Sequence, residues 1–249
     1  MPDIALNPTV SCVIPAFNEE KYIHRVVQGI QRAGEYYRKE KNLGIEIIVV
    51  DNHSKDRTGE IAQELGAKVV HEPSNNIARA SNIGALTAVG DFLMFIDADM
   101  IPSEDLISGI DDNLMNPEVA GGGTRCRMEK WSPGFAFYRK VQESHRQLFG
   151  GFHGVFHCRR KDFVELLGFD ERNFIAEKVE FYHRLKAHGK LRGQKIADAP
   201  RGCVIESDRI VTQSGAMKLI GKTLSLCWAP NKKIRDINFC GPWYDVRRV

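Results

Sequence analysis

The chain has 249 residues, of which 43% are hydrophobic and 27% are charged. A chain of this length and composition can bury a core of its own, which excludes a disordered protein, a collagen and a small disulfide scaffold. There are 35 Lys and Arg residues against 32 Asp and Glu residues, and a net charge of +3 does not indicate nucleic acid as a partner.

Short apolar runs alternate with helical patterns along the first half of the chain. Strands are predicted at residues 10–14, 45–50, 68–70 and 92–96, which are brief and rich in Val and Ile. Helices are predicted after each strand, with Asn18 capping the first and Ser54 or Asp56 capping the second. The third covers residues 77–89, and the fourth starts near Pro102. This alternation predicts an α/β fold with a mostly parallel central sheet flanked by helices.

After Gly121 the pattern becomes less regular, with helices predicted at 133–149 and 177–188. We expect one domain over residues 1–249, with a Rossmann-like nucleotide half near 8–120, a second half near 121–215 and a C-terminal extension at 216–249. The six cysteines form no C-x-x-C pair, so free cytosolic thiols are expected. Neither a signal peptide nor a membrane-spanning apolar stretch is recognisable, which predicts a cytoplasmic protein.

Three polar clusters follow predicted strands at their carboxyl ends, where ligands bind in open parallel sheets. The Asp97-Ala98-Asp99 triplet, a D-x-D pattern, offers two carboxylates that can hold one hard divalent cation beside diphosphate oxygens. The alternative is that Asp97 caps the next helix and Asp99 is solvated. Asp51 can accept a hydrogen bond from a nucleobase N–H, such as a uracil edge, or it can order its own turn.

Several other enzyme motifs are missing from the sequence. No G-x-G-x-x-G pattern follows the first strand, and neither a P-loop nor a G-x-S-x-G elbow is present. A dinucleotide-dependent dehydrogenase is therefore excluded.

Residues 13–20 (VIPAFNEE), 47–58 (IIVVDNHSKDRT) and 95–99 (FIDAD) together resemble the nucleotide-sugar half of the family 2 glycosyltransferases. Residues 78–84 (ARASNIG) and 168–171 (GFDE) are similar to further segments of that family. The resemblance implies a GT-A fold, a UDP- or GDP-sugar donor, Mg²⁺ or Mn²⁺, and inverting transfer to a hydroxyl acceptor. Cell-envelope polysaccharide or glycolipid synthesis is the setting that it suggests.

The resemblance also implies roles for individual residues. The nucleotide would be held by Pro15, Ala16, Phe17, Glu19 and Asp51, the metal and diphosphate by Asp97 and Asp99, and the diphosphate also by Arg79.

The second half departs from the family pattern at residues 177–180. The family commonly has Glu-Asp-x-Asp there, whereas this chain has EKVE, so Lys178 replaces the Asp often assigned as the base. Glu177 becomes the candidate base that takes the acceptor's hydroxyl proton, and Glu180, one helical turn later, is the second candidate. The alternative for Glu177 is a carboxylate that the helix dipole favours at a helix N-terminus.

Two further groups have ordinary structural roles as their alternatives. A third metal ligand could come from the histidines, which otherwise pack or face solvent: His145, His153, His157, His183 and His188. A sugar-stacking platform could come from aromatic residues that otherwise belong to a core or lid: Trp131, Phe135, Phe137 and Tyr138.

The charge is unevenly distributed, because residues 216–249 carry a net charge of +5 and leave −2 for the first 215 residues. This extension could pack on the body as a terminal helix, contact an anionic membrane surface peripherally or clamp diphosphate, and residues 243–248 could close over the donor. Two other functions stay open. A sugar nucleotidyltransferase would carry a Gly-rich loop after the first strand, which this chain lacks. A catalytically inactive sugar-nucleotide-binding module is suggested by Lys178.

Overall fold

The structure is a computed structural model that describes residues 8–129, 133, 136–137, 139–141, 143–144, 150–206, 235–236 and 240. Most of the predicted helix at 133–149 and most of the C-terminal extension lie outside the described residues. Trp131, Phe135, Tyr138 and His145 lie outside them as well.

The described residues form ten strands and six helices. The strands are β1 (Pro8–Ala16), β2 (Gly44–Asp51), β3 (Lys68–His71), β4 (Phe92–Phe95), β5 (Met100–Pro102), β6 (Val119–Gly122), β7 (Arg125–Met128), β8 (Phe156–Arg159), β9 (Lys195–Ile196) and β10 (Cys203–Glu206). The helices are α1 (Ile23–Lys41), α2 (Thr58–Glu64), α3 (Ile77–Thr87), α4 (Leu106–Met115), α5 (Arg160–Glu165) and α6 (Glu177–Leu191).

A seven-stranded sheet with the order β3-β2-β1-β4-β8-β6-β9 forms the centre of the molecule. The four strands predicted from the first half pair in parallel, and β9 pairs in parallel with β6. Only β8 runs against its neighbours β4 and β6 among these strands. The predicted α/β architecture with a mostly parallel sheet is therefore confirmed. A second sheet, β5-β10-β7, has three strands.

Alternate residues of the central strands point to opposite faces of the sheet, as the two-residue period of a strand requires. On β4, Met94 packs in the cluster that includes α1 and α4 residues, whereas Leu93 and Phe95 pack in the cluster that includes α3 and α6 residues. The sheet is thus covered on both faces, which explains why its central strands are uniformly apolar.

Helix starts differ from the sequence expectation at three places. Arg57, rather than Ser54 or Asp56, is the N-cap residue of α2, and Asp56 Oδ1 accepts from the backbone N–H of Thr58 (3.0 Å), the first residue of that helix. Asn18 does not cap α1, which begins at Ile23; it has φ +54° and accepts from the Lys55 backbone N–H instead. Helix α4 begins at Leu106, because Pro102 belongs to β5, so Asp97 is too far away to cap it. Among the helices that the described residues form, none combines the length and apolarity needed to cross a membrane.

Candidate functional site

The polar clusters predicted after β1, β2 and β4 meet at one edge of the sheet. In the parallel register Ala16 lies opposite Asp51 and Val13 opposite Phe95. The Ile96 backbone N–H then donates to the Val13 carbonyl (3.1 Å), which extends the pairing up to Asp97. The edge formed by residues 15–20, 51–58 and 97–99, together with 72–79 after β3, is called the donor edge below.

The first two loops of the donor edge are joined by hydrogen bonds from backbone to side chain. The backbone N–H groups of Asn18 and Glu19 donate to Ser54 Oγ (3.0 Å) and Thr58 Oγ1 (2.7 Å). The next backbone N–H, of Glu20, donates to Asp56 Oδ2 (3.1 Å). The loop after β1 is therefore held in shape by side chains of the loop after β2.

The candidate nucleotide residues on β1 and its loop are buried: Pro15, Ala16, Phe17 and Glu19. Two of them bond to the loop after β2: the Ala16 carbonyl accepts from the Asn52 backbone N–H (2.8 Å), and the Glu19 backbone N–H donates to Thr58. Their roles in holding the nucleotide stay predictions.

Asp51 ends β2 with its side chain 12% exposed. Its Oδ1 accepts the Ser54 backbone N–H (2.9 Å), and its Oδ2 lies 3.2 Å from His71 Nδ1. A Cβ at Gly59 would come within 2.9 Å of Oδ2, so a larger residue there would require this carboxylate to shift. Asp51 orders its turn, as the structural alternative predicted, and the nucleobase role stays a prediction.

Arg79, on the first turn of α3, is bound to an acidic residue that the sequence reasoning missed. Arg79 Nε donates to Glu72 Oε2 (2.9 Å), and Glu72 is 1% exposed. Burial alone would raise the pKa of Glu72, but hydrogen bonds from Ser74 and Arg79 outweigh it and lower the pKa. The position of Glu72 directly after β3 was the available signal. The contact with Glu72 orients the guanidinium of Arg79, whose side chain stays 47% exposed at the donor edge.

The D-x-D carboxylates occupy the loop after β4, where both residues are partly buried. Lys178 Nζ lies 2.5 Å from Asp97 Oδ1, with the lysine side chain 12% exposed and the aspartate side chain 29%. This ion pair joins residues 81 positions apart in the sequence. The N-terminus of α6 is thereby fixed against the donor edge.

Glu206, at the end of β10, is a third carboxylate near the D-x-D loop. It lies opposite Met100, the residue after Asp99, in the antiparallel pair of β10 and β5. Burial raises the pKa of Glu206. A hydrogen bond from Cys126 and the positive charge of Arg139, 3.9 Å away, oppose this rise, and the negative charges of Asp99 and Asp97 add to it. Strand pairing brings it there, which no local sequence pattern indicated.

The candidate bases differ in their surroundings. Glu177 is the first residue of α6 and is 5% exposed, and Ala176 before it has φ +59°, a conformation that costs a non-glycine residue energy. Glu180 accepts two hydrogen bonds of 2.7 Å from Arg184, which also donates to the carbonyls of Leu166 and Gly168. Glu180 is thus one partner in a clamp on the preceding loop, whereas Glu177 lies beside the Lys178 contact.

The GFDE segment, between α5 and α6, contacts β4 and α3. Phe169 is 2% exposed and packs on Phe95, with ring centroids 4.9 Å apart. Asn82 of α3 donates to the Phe169 carbonyl (2.9 Å) and accepts from its N–H (2.8 Å). Asp170 pairs with Arg172 and with Arg235 of the C-terminal extension, and these two cations, Arg172 first, lower its pKa to about 2.

Three of the candidate histidines have partners outside the D-x-D loop. His157 is fully buried, which lowers its pKa to about 3, and its Nε2 lies 2.8 Å from Asn113 Nδ2. His153 pairs with Glu143 (2.6 Å). His188 lies near Asp162 and Glu165, the one three-ligand group found among the described residues, but Arg192 already pairs with both acids. Because β8 runs against β4, this group lies at the opposite edge of the sheet.

Comparisons with known proteins show which proteins this chain is similar to. The model of the family described as "Glycosyl transferase family 2" matches residues 11–163. The probable glycosyltransferase YdaM of Bacillus subtilis is 36% identical over 123 residues, which are 46% of this chain and 28% of that protein. Dolichol-phosphate mannosyltransferase of Pyrococcus furiosus is 31% identical over 144 residues, 53% of this chain and 37% of that protein. The chain thus spans about a third of the length of these curated relatives.

Solved structures share the fold at lower identity. The mannosyltransferase PcManGT from Pyrobaculum calidifontis, in complex with GDP-Man and Mn²⁺, matches with a TM-score of 0.63 and 20% identity, over 90% of this chain and 66% of that one. Staphylococcus aureus TarS 1–349, in complex with UDP-GlcNAc, matches with a TM-score of 0.62 and 17% identity, over 95% of this chain and 73% of that one. These similarities confirm the predicted GT-A fold.

Proposed function

The chain belongs to glycosyl transferase family 2, and on that premise we propose that it transfers a sugar from a nucleoside-diphosphate donor to a hydroxyl acceptor with inversion at the anomeric carbon. The observation that carries this proposal is the meeting of the loops after β1, β2 and β4 at one edge, with Asp51 and the D-x-D carboxylates on it. Such an edge is where open α/β sheets bind nucleotides.

The donor set of the D-x-D loop fits a divalent cation. Asp97 and Asp99 supply carboxylate oxygens, the ligands that Mg²⁺ and Mn²⁺ prefer, on a loop that is only partly buried. A cation held by these two residues would neutralise the charge that develops on the departing diphosphate. The solved structures with GDP-Man and Mn²⁺, and with Mn²⁺ and UDP-Glc, support a divalent cation and a sugar nucleotide as the ligands.

The remaining residues bind the donor or transfer the proton of the acceptor. The Asp51 carboxylate accepts a nucleobase N–H while Ser54 holds it in place. Arg79, oriented by buried Glu72, attracts the diphosphate. Glu177 takes the proton of the acceptor hydroxyl as the new glycosidic bond forms and the bond to the diphosphate breaks. Glu180 positions the helix through its clamp with Arg184 rather than meeting the acceptor.

Isothermal titration with UDP and GDP, with and without Mn²⁺, tests the donor part of the proposal. We expect one nucleotide to bind with Mn²⁺, and Asp99→Ala to weaken that binding by at least about tenfold, about 1.4 kcal/mol. Asp91→Ala is the matched control, because Asp91 is an exposed aspartate at the other end of β4. No binding of either nucleotide would contradict the proposal.

The inactive binding module remains the second candidate, because Lys178 occupies the place of the expected acid and holds Asp97. Donor hydrolysis and transfer to an acceptor panel distinguish the two. If Glu177 is the base, Glu177→Gln lowers turnover at least about a hundredfold with nucleotide affinity retained. Nucleotide binding without turnover in the wild-type protein would favour the module.

A further inference from the structure

A lysine at the second position of α6 is unexpected on electrostatic grounds. The N-terminus of a helix carries partial positive charge and favours acidic side chains, as Glu177 and Glu180 in the same turn illustrate. A cation placed there is disfavoured unless an anion compensates for it. Asp97 is that anion, because Lys178 Nζ donates a charge-assisted hydrogen bond directly to Asp97 Oδ1.

The environment of the pair favours a strong interaction. Lys178 is 12% exposed and Asp97 29%, so solvent screens the pair less than a surface ion pair. The ammonium also lowers the negative charge of a loop that otherwise combines Asp97 and Asp99 with Glu206 nearby. The ammonium therefore weakens the attraction of this loop for a divalent cation, and it offers a fixed positive charge to a diphosphate.

We propose that Lys178 is a diphosphate-binding residue, a built-in cation that pairs with Asp97 and also holds the donor's diphosphate. This inference rests on the proposed function. The ammonium has three donors and can bridge a carboxylate oxygen and a phosphate oxygen. Nucleotide binding then depends less on the divalent cation than it would if Asp97 and Asp99 had no lysine beside them. The protein without nucleotide binds the cation weakly.

The test measures the affinity for UDP and GDP by calorimetry, in Mn²⁺ and in EDTA, for wild type and Lys178→Met. For the nucleotide that wild type binds, we expect measurable affinity in EDTA that Lys178→Met weakens at least about tenfold, about 1.4 kcal/mol. In Mn²⁺ the loss should be smaller, because the metal replaces part of the missing charge. Lys178→Arg should retain most of the affinity in EDTA.

Lys190→Met is the matched control, since Lys190 is exposed in the last turn of the same helix. It should bind the nucleotide like wild type under both conditions. Equal or tighter nucleotide binding by Lys178→Met in EDTA would overturn the inference, as would wild-type binding that is lost entirely in EDTA. Failure of wild type to bind either nucleotide even with Mn²⁺ would refute the proposed function instead.

A second measurement uses Mn²⁺ alone and does not depend on nucleotide. Electron paramagnetic resonance of free Mn²⁺ should show that Lys178→Met, once its circular dichroism spectrum matches wild type, binds the ion more tightly than wild type does. Removing the ammonium leaves Asp97 with more negative charge for the ion. Weaker or unchanged Mn²⁺ affinity in a folded Lys178→Met would contradict the inference.

Discussion

Phe169→Ala tests whether the GFDE segment is anchored by its aromatic ring. Phe169 is 2% exposed, and its ring centroid lies 4.9 Å from Phe95, 5.0 Å from Phe163 and 5.3 Å from Phe181. Burying a phenylalanine side chain is worth about 1.5–3 kcal/mol, and a cavity left among rigid rings brings the cost of Phe→Ala to about 3–5 kcal/mol. For a chain of this size that loss corresponds to a melting temperature lower by roughly 6–20 °C.

Urea denaturation and thermal melting of purified variants measure the effect of Phe169→Ala. Phe169→Leu keeps most of the volume and should cost less than about 1.5 kcal/mol. Leu191→Ala, at an 88% exposed position at the end of α6, should change stability by no more than about 0.5 kcal/mol. If Phe169→Ala melts like Leu191→Ala, the ring does not anchor the segment and the expected loss of core packing is refuted.

Two further predictions concern charged contacts near this segment. The folded pKa of Asp170 is lowered to about 2, so its stabilisation is present above its ordinary value near 3.8 and is lost as the pH falls toward 2. Asp170→Asn should therefore lower the melting temperature at pH 6 and match wild type near pH 2, and a constant difference across that range would contradict the assignment. Arg184→Met should destabilise more than Glu180→Gln in urea, since it leaves the Leu166 and Gly168 carbonyls without this donor, at about 1–3 kcal/mol. Equal losses of stability in the two variants would show that Arg184 stabilises the fold through Glu180 alone.

The sequence predicts those strands and helices whose pattern lies within a short stretch of residues. Apolar runs ending in Asp51 and before Asp97 predicted both the strands and the edge at which they meet, because parallel strands place their carboxyl ends together. The cap predicted at Asn18 was wrong, since its side chain accepts a hydrogen bond from the loop after β2. A tertiary partner thus replaced the local helix cap.

Residues whose role depends on distant pairing could not be found in the same way. Lys178 was recognisable as a departure from a pattern, but nothing in the sequence indicated that it would reach Asp97. Glu206 lies near the D-x-D loop only because β10 pairs with β5. Strand order in the second half, where β8 is antiparallel and inserts between β4 and β6, is likewise fixed by packing that a local pattern does not encode.

Two asparagines, one at the N-cap of α3 and one within it, tie the nucleotide half of the chain to the second half, so that the two cannot be exchanged independently. Asn76 accepts from the Arg79 backbone and donates to the Glu171 carbonyl (2.8 Å), and Asn82 pairs with the backbone of Phe169. The start of α3 therefore orients Arg79, a candidate diphosphate-binding residue, and the same helix holds the segment that leads to Glu177. A chimera that exchanged residues 168–180 to alter acceptor choice would need to keep both asparagines, or donor binding would change along with the acceptor.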